Sequence, residues 1–146
     1  MPDSPLVASL ESARTKSASL VDYDLTRGDV VIFDFTAANT ELAHLDINDV
    51  SGFSAYLFER IAEADTPVGI GRYDEDRVLY RHSPLFDGMA ERRSVHLGID
   101  LFVTAGTEIR APLPATVHSF ANNEGLGDYG PTVILEHELD GNRFFT

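Results

Sequence analysis

His96 and Asp100 are the residues of this chain whose types and spacing point most directly to chemistry. A neutral imidazole and a carboxylate four residues apart can both ligate a divalent metal such as zinc. The run Val95-His96-Leu97-Gly98-Ile99-Asp100-Leu101 alternates apolar and polar residues, as a half-buried strand does. In an unbroken strand, at about 3.3 Å per residue, the pair would stand roughly 13 Å apart, too far for one ion. A shared site therefore requires a bend between them, and Gly98 is the residue that permits one. By itself, H-x-x-x-D describes a half-exposed histidine and a surface aspartate more readily than a metal site.

The surrounding residues add to the pair. His96-x-Gly98-x-Asp100 is followed by Gly106-Thr107-x-Ile109-x-Ala111-Pro112 and then Val117. This pattern resembles the first half of the lysostaphin/LytM-type zinc metallopeptidases, which cut peptidoglycan cross-bridges and stems. The resemblance covers about the last third of the chain and departs from the family at Pro114-Ala115, where a turn ending in Gly is usual. It implies that His96 and Asp100 are ligands of Zn2+ and that the substrate is a peptide or peptidoglycan-like molecule. It also implies a third ligand and a catalytic His from a later H-x-H motif, with a second catalytic His beyond the hairpin at Asp140-Gly141. Neither appears by Thr146, so no catalytic residue is assigned within the chain. The expectation is a catalytic domain incomplete at its C-terminus and inactive as it stands.

Composition narrows the alternatives. The formal net charge of −13 argues against nucleic acid, because phosphate binding needs a basic face. The same charge disfavours anionic membrane surfaces. There is no cysteine, so any metal site must use His and carboxylates. No stretch reaches the roughly 18 apolar residues of a membrane span. The N-terminal Met1-Pro2-Asp3-Ser4-Pro5 lacks the basic and apolar runs of a secretory signal, so a cytoplasmic setting is expected; a bacterial one is what the resemblance implies. That setting conflicts with a cell-wall substrate. Oligomeric state is not legible.

The elements that must position the pair read as follows. Residues 1–20 are a frayed helix or a flexible lead. Asp29 to Phe35 is β-branched and aromatic and predicts a buried strand. Thr36 to Leu42 carries turn and cap chemistry. Asn48, Asp49 and Ser51 offer N-caps to a helix ending near Ala64, whose Phe53, Leu57 and Ile61 recur at i, i+4, i+8. Short strands are expected at about 95–102, 107–111, 115–120, 131–139 and 143–146, with Asp140-Gly141 as the clearest hairpin turn. The fold class is therefore α+β. Residues 1–90 form an N-terminal mixed α/β region with a loop-rich connector. Residues 91–146 form the first strands of an antiparallel β-sandwich-like domain, the duplicated hybrid motif of the resembling family.

Further residues are candidates for the second shell or the cleft. Tyr73, Glu75 and Arg77 lie on a charge-dense loop before the first motif, although a solvated loop is the plainer reading. Tyr129, in Asp128-Tyr129-Gly130, either borders the cleft or packs a turn. His137 shares a strand face with Val133, Leu135 and Leu139, and a structural or second-shell role suits it better than that of a base. His118 reads as structural, and His44 and His82 as surface residues. Two other functions stay open: a non-catalytic peptidase-like binding or activating module, and a cytosolic metalloenzyme of small-molecule metabolism.

Overall fold

A computed structural model describes residues 4–46, 49–78, 94–124 and 128–146. The expected cap at Asn48, His82, and the expected boundary after residue 90 lie outside the described residues. The described content is α+β, with two α-helices and three small sheets. The chain divides into two units: Tyr23–Thr107, and Met1–Asp22 together with Glu108–Thr146. No described helix is long and apolar enough to cross a membrane.

In the Tyr23–Thr107 unit, β1 (Val31–Phe33) runs parallel to β2 (Gly69–Gly71), and β2 pairs antiparallel with β5 (Asp100–Phe102). Parallel neighbours need a crossover, and α2 (Val50–Glu63) supplies it. Leu57 and Ile61 on α2 are buried with Phe33, Phe35 and Leu42, and Phe53, Tyr56 and Phe102 pack around them. The Phe33 ring stacks on Phe35 at 5.7 Å and meets Phe102 edge-on at 5.4 Å. The helix thus has the expected inward face. Each of its two buried aliphatic side chains contributes about 1.5–3 kcal/mol by leaving water.

The helix ends in a Schellman motif. Asp65 takes a left-handed φ of 52°. The Thr66 N–H donates to the Ile61 carbonyl at 3.3 Å and the Asp65 N–H to Ala62 at 3.1 Å.

The strand expected over Asp29–Phe35 is shorter and less buried than its composition suggests. Only Val31–Phe33 is ladder-bonded, and Ile32 is 54% exposed. Phe33 and Phe35 point into the core while Ile32 takes the alternate face, so the segment behaves as a one-sided strand. The turn chemistry after it is as expected: Asp34 accepts from the Thr36 N–H, and Asn39 accepts from Glu41 to open a 3₁₀ helix, Thr40–His44.

A second pairing in the same unit joins β3 (Glu75–Asp76) to β4 (Val95–His96), antiparallel, with Glu75 opposite His96. The run 95–102 is therefore two strands in two different sheets, and Gly98 lies in the step between them.

In the other unit, α1 (Pro5–Ala13) begins with Pro at its first position, where the missing N–H costs nothing, and runs into a 3₁₀ turn at Arg14–Lys16. The lead segment is thus helical over this stretch. Strands β6 (Thr116–Asn123), β7 (Gly130–Leu139) and β8 (Asn142–Phe145) form an antiparallel meander. Asp140 and Gly141, with φ of 50° and 76°, make the tight turn between β7 and β8. Register shifts between Val117 and Ser119, leaving His118 as the extra residue of a bulge. Beyond β8, as beyond β6, no further strand pairs among the described residues.

The strand expected at 107–111 does not form. Arg110 N–H donates instead to Leu20 in irregular chain, and just past the stretch Pro112 accepts from the Ala18 N–H. Pro112 has no N–H to extend a ladder, and Ile109 is exposed.

Candidate metal-binding pair

The antiparallel tracks 69–76 and 95–102 are both interrupted midway, and the interruption creates the site. Gly71 faces Asp100 in one sheet and Glu75 faces His96 in the other. Between them the chain turns at Arg72-Tyr73-Asp74, with Asp74 at φ 55° and its N–H donating to the His96 carbonyl at 2.8 Å. On the other track the chain steps at Leu97-Gly98-Ile99. His96 therefore folds back toward Asp100 instead of lying an extended span away. A Cβ on Gly98 would stand 3.1 Å from His96 Nε2, so the glycine also makes room for the ring.

His96 Nε2 lies 3.4 Å from Asp100 Oδ1, with the two side chains 17% and 34% exposed. Two ligand atoms about 2.0–2.2 Å from one tetrahedral zinc stand roughly 3.3–3.6 Å apart. The donor types and their separation fit zinc. Among the described residues, no third His, Asp or Glu joins them in a metal-binding group.

Asp100 is held from its other oxygen. Arg77 Nη1 reaches Oδ2 at 2.6 Å, and Arg77 Nε donates to Glu75 Oε2 at 3.0 Å. Glu75 Oε1 accepts from the Phe35 N–H at 3.1 Å and from Arg72 Nε at 3.0 Å. Arg72 Nη2 also meets Asp34 Oδ1 at 2.9 Å. The Arg77 guanidinium lies over the Phe35 ring at 5.0 Å. Signs alternate along Asp34, Arg72, Glu75, Arg77 and Asp100, which leaves one negative charge before His96 is counted.

This burial corrects the picture of a solvated loop at 73–77. Glu75 and Arg77 are 4% and 5% exposed, because each finds a partner of opposite sign and Glu75 also caps the Phe35 N–H. Unpaired, such groups would not stay inside. Tyr73 keeps the expected exposure, at 61%.

The remaining candidates belong to the Glu108–Thr146 part of the other unit. Tyr129 is exposed on the turn before β7, its N–H donating to Asp128. His137 is buried. Nδ1 donates to the Pro114 carbonyl at 3.1 Å, Nε2 lies 2.8 Å from Thr146 Oγ1, and the ring stacks on Phe144 at 4.8 Å. These contacts tie β7 to the chain before β6 and to the end of β8. His118 is exposed and meets the Phe145 ring edge-on, while His44, in the Tyr23–Thr107 unit, is also exposed.

Sequence reasoning passed over Gly71, Arg72 and Asp34. The signal for Gly71 was present: a Gly-x-Gly strand marks close approach by a neighbour. Comparison with protein families, with curated proteins and with solved structures returned no match to this chain.

Proposed function

We propose that His96 and Asp100 are two of the protein ligands of a zinc ion in a hydrolytic site of the lysostaphin/LytM type, acting on the amide bonds of a peptide, of peptidoglycan type by resemblance. The observation that carries this reading is the 3.4 Å approach of His96 Nε2 to Asp100 Oδ1 across the step at Gly98. In this reading the β-rich part of the chain belongs to the sandwich-like fold of that family.

His96 offers a neutral nitrogen and Asp100 a negative oxygen. Arg77 on Oδ2 leaves Oδ1 as the oxygen turned to the shared position. The chemistry that zinc supplies is Lewis-acid polarisation of a carbonyl and acidification of water near neutral pH. No H-x-H motif occurs in residues 1–146. The chain by itself is therefore expected to hold zinc weakly and not to hydrolyse peptides. With a net charge of −13, nucleic acid is not among the proposed partners.

A second reading, a non-catalytic binding module, draws on the 2.6 Å contact between Arg77 and Asp100. That contact already neutralises the carboxylate and gives it a structural use. Zinc titration against a chromophoric chelator separates the two readings. One-to-one uptake lost in His96→Ala supports the metal site. Uptake that ignores His96→Ala, or none at all, leaves the binding module.

A further inference from the structure

Arg77 and Gly71 act together on Asp100, and their arrangement has a use beyond burying charge. The Arg77 fork joins Glu75 to Asp100, and Glu75 is itself anchored by the Phe35 N–H and Arg72. The Arg77 side chain is 6% exposed and that of Glu75 2%. An ion pair so enclosed has few alternative rotamers, because any other would strand a buried charge. Gly71 completes the enclosure from the facing strand. A Cβ there would stand 2.7 Å from Arg77 Nη2 and 2.8 Å from Asp100 Oδ2. The carboxylate and guanidinium occupy the volume of the missing methyl.

We infer that Arg77, braced by Glu75 and admitted by Gly71, is a positioning residue: it holds Oδ2 so that Asp100 presents Oδ1, and only Oδ1, to the cation shared with His96. This inference rests on the metal reading for its consequence, but not for its geometry. Its signature is a reversal of sign. As a mere nearby positive charge, Arg77 would repel a dication, and its removal would tighten zinc. As a positioning residue, its removal weakens zinc.

Three variants of the 146-residue chain separate these cases. Gly71→Ala inserts a methyl into the contact and changes no charge. Arg77→Met removes the fork. Arg27→Met removes one positive charge from the same unit at an exposed pair with Asp29, outside the Arg77 network. The measurements are zinc affinity by chelator competition and, in the metal-free chain, the imidazole ¹⁵N shifts of His96. The expected result is at least a tenfold loss of affinity in Gly71→Ala and Arg77→Met, with unchanged or tighter binding in Arg27→Met. The His96 shifts should move in the first two variants and stay in the third. Wild-type affinity and wild-type His96 shifts in Gly71→Ala, or tighter zinc in Arg77→Met, would overturn the inference. If Arg77→Met fails to fold, Gly71→Ala decides. If the wild-type chain takes no zinc through His96, the metal reading falls, and the imidazole shifts still decide whether Gly71 and Arg77 set Asp100 against His96.

Discussion

Gly71 and Asp100 lie directly opposite one another in the β2–β5 ladder, so close that a Cβ on Gly71 would stand 2.8 Å from Asp100 Oδ2. The relationship fixes where the Asp100 carboxylate can go. The ladder brings its backbone to Gly71, and the absent side chain leaves space for its oxygen and for the Arg77 guanidinium. His96, one sheet away, then meets the other oxygen. A site assembled in this way depends on the small sheets staying in register, and their register depends on the core beneath.

That core rests on α2. Replacing Leu57 or Ile61 by Ala should cost about 2–5 kcal/mol, the range for a buried aliphatic truncated to a cavity. Ile32→Ala, at a position 54% exposed, should cost about 1 kcal/mol or less. Urea unfolding of the three variants measures the difference. Equal losses would mean that the helix does not cover the face assigned to it.

Asp65 holds a left-handed conformation at the C-terminus of α2, which an L residue adopts only at some cost. Asp65→Gly should therefore stabilise the chain by about 0.5–1 kcal/mol, a modest rise in Tm. A decrease would show that the Asp65 side chain, not the backbone, secures the helix end.

Acid should weaken the fold through Asp34. The Thr36 hydroxyl, then the Thr36 N–H, and then the Arg72 guanidinium hold its carboxyl below the usual carboxylate range. A depressed folded-state value contributes stability that is present above the unfolded value. That stability is lost as pH falls through the folded one. Tm should therefore begin to fall near the ordinary carboxylate range, about pH 4, and continue falling below it. Asp34→Asn should make that fall shallower. An Asp34→Asn profile parallel to wild type throughout would remove Asp34 from the account.

Much of this was legible in local sequence, where local physics decides. Phe53, Leu57 and Ile61 mark the α2 face because a helix repeats every 3.6 residues. Asp140-Gly141 marks its hairpin because a type I′ turn needs two positive φ values. Gly98 marks the step that lets His96 and Asp100 meet. The interior of the site was not legible. Tyr73-Asp74-Glu75-Asp76-Arg77 looks solvated because its charges are visible and their partners are not. The Phe35 N–H that Glu75 caps and the Gly71 strand that admits Arg77 lie elsewhere in the chain. The strand expected at 107–111 failed for a related reason: a strand needs a partner strand, and among the described residues this stretch pairs with none, its Arg110 N–H donating to Leu20. For α1 the sequence offered only weak periodicity, which left helix and loose lead open; the helix that forms has Pro5 at its first position, a start signal that periodicity leaves out.

The proposed metal site requires that His96 and Asp100 share one cation. Its most direct test is cobalt(II) or zinc titration of the 146-residue chain beside His96→Ala and Asp100→Asn, read by chelator competition and by the cobalt d–d absorption. The account predicts a single weak site in the wild type, with its absorption band lost in both variants while their unfolding midpoints remain measurable. A site of micromolar or tighter affinity that survives His96→Ala, or a wild-type chain that perturbs neither the chelator nor the cobalt spectrum, would contradict it.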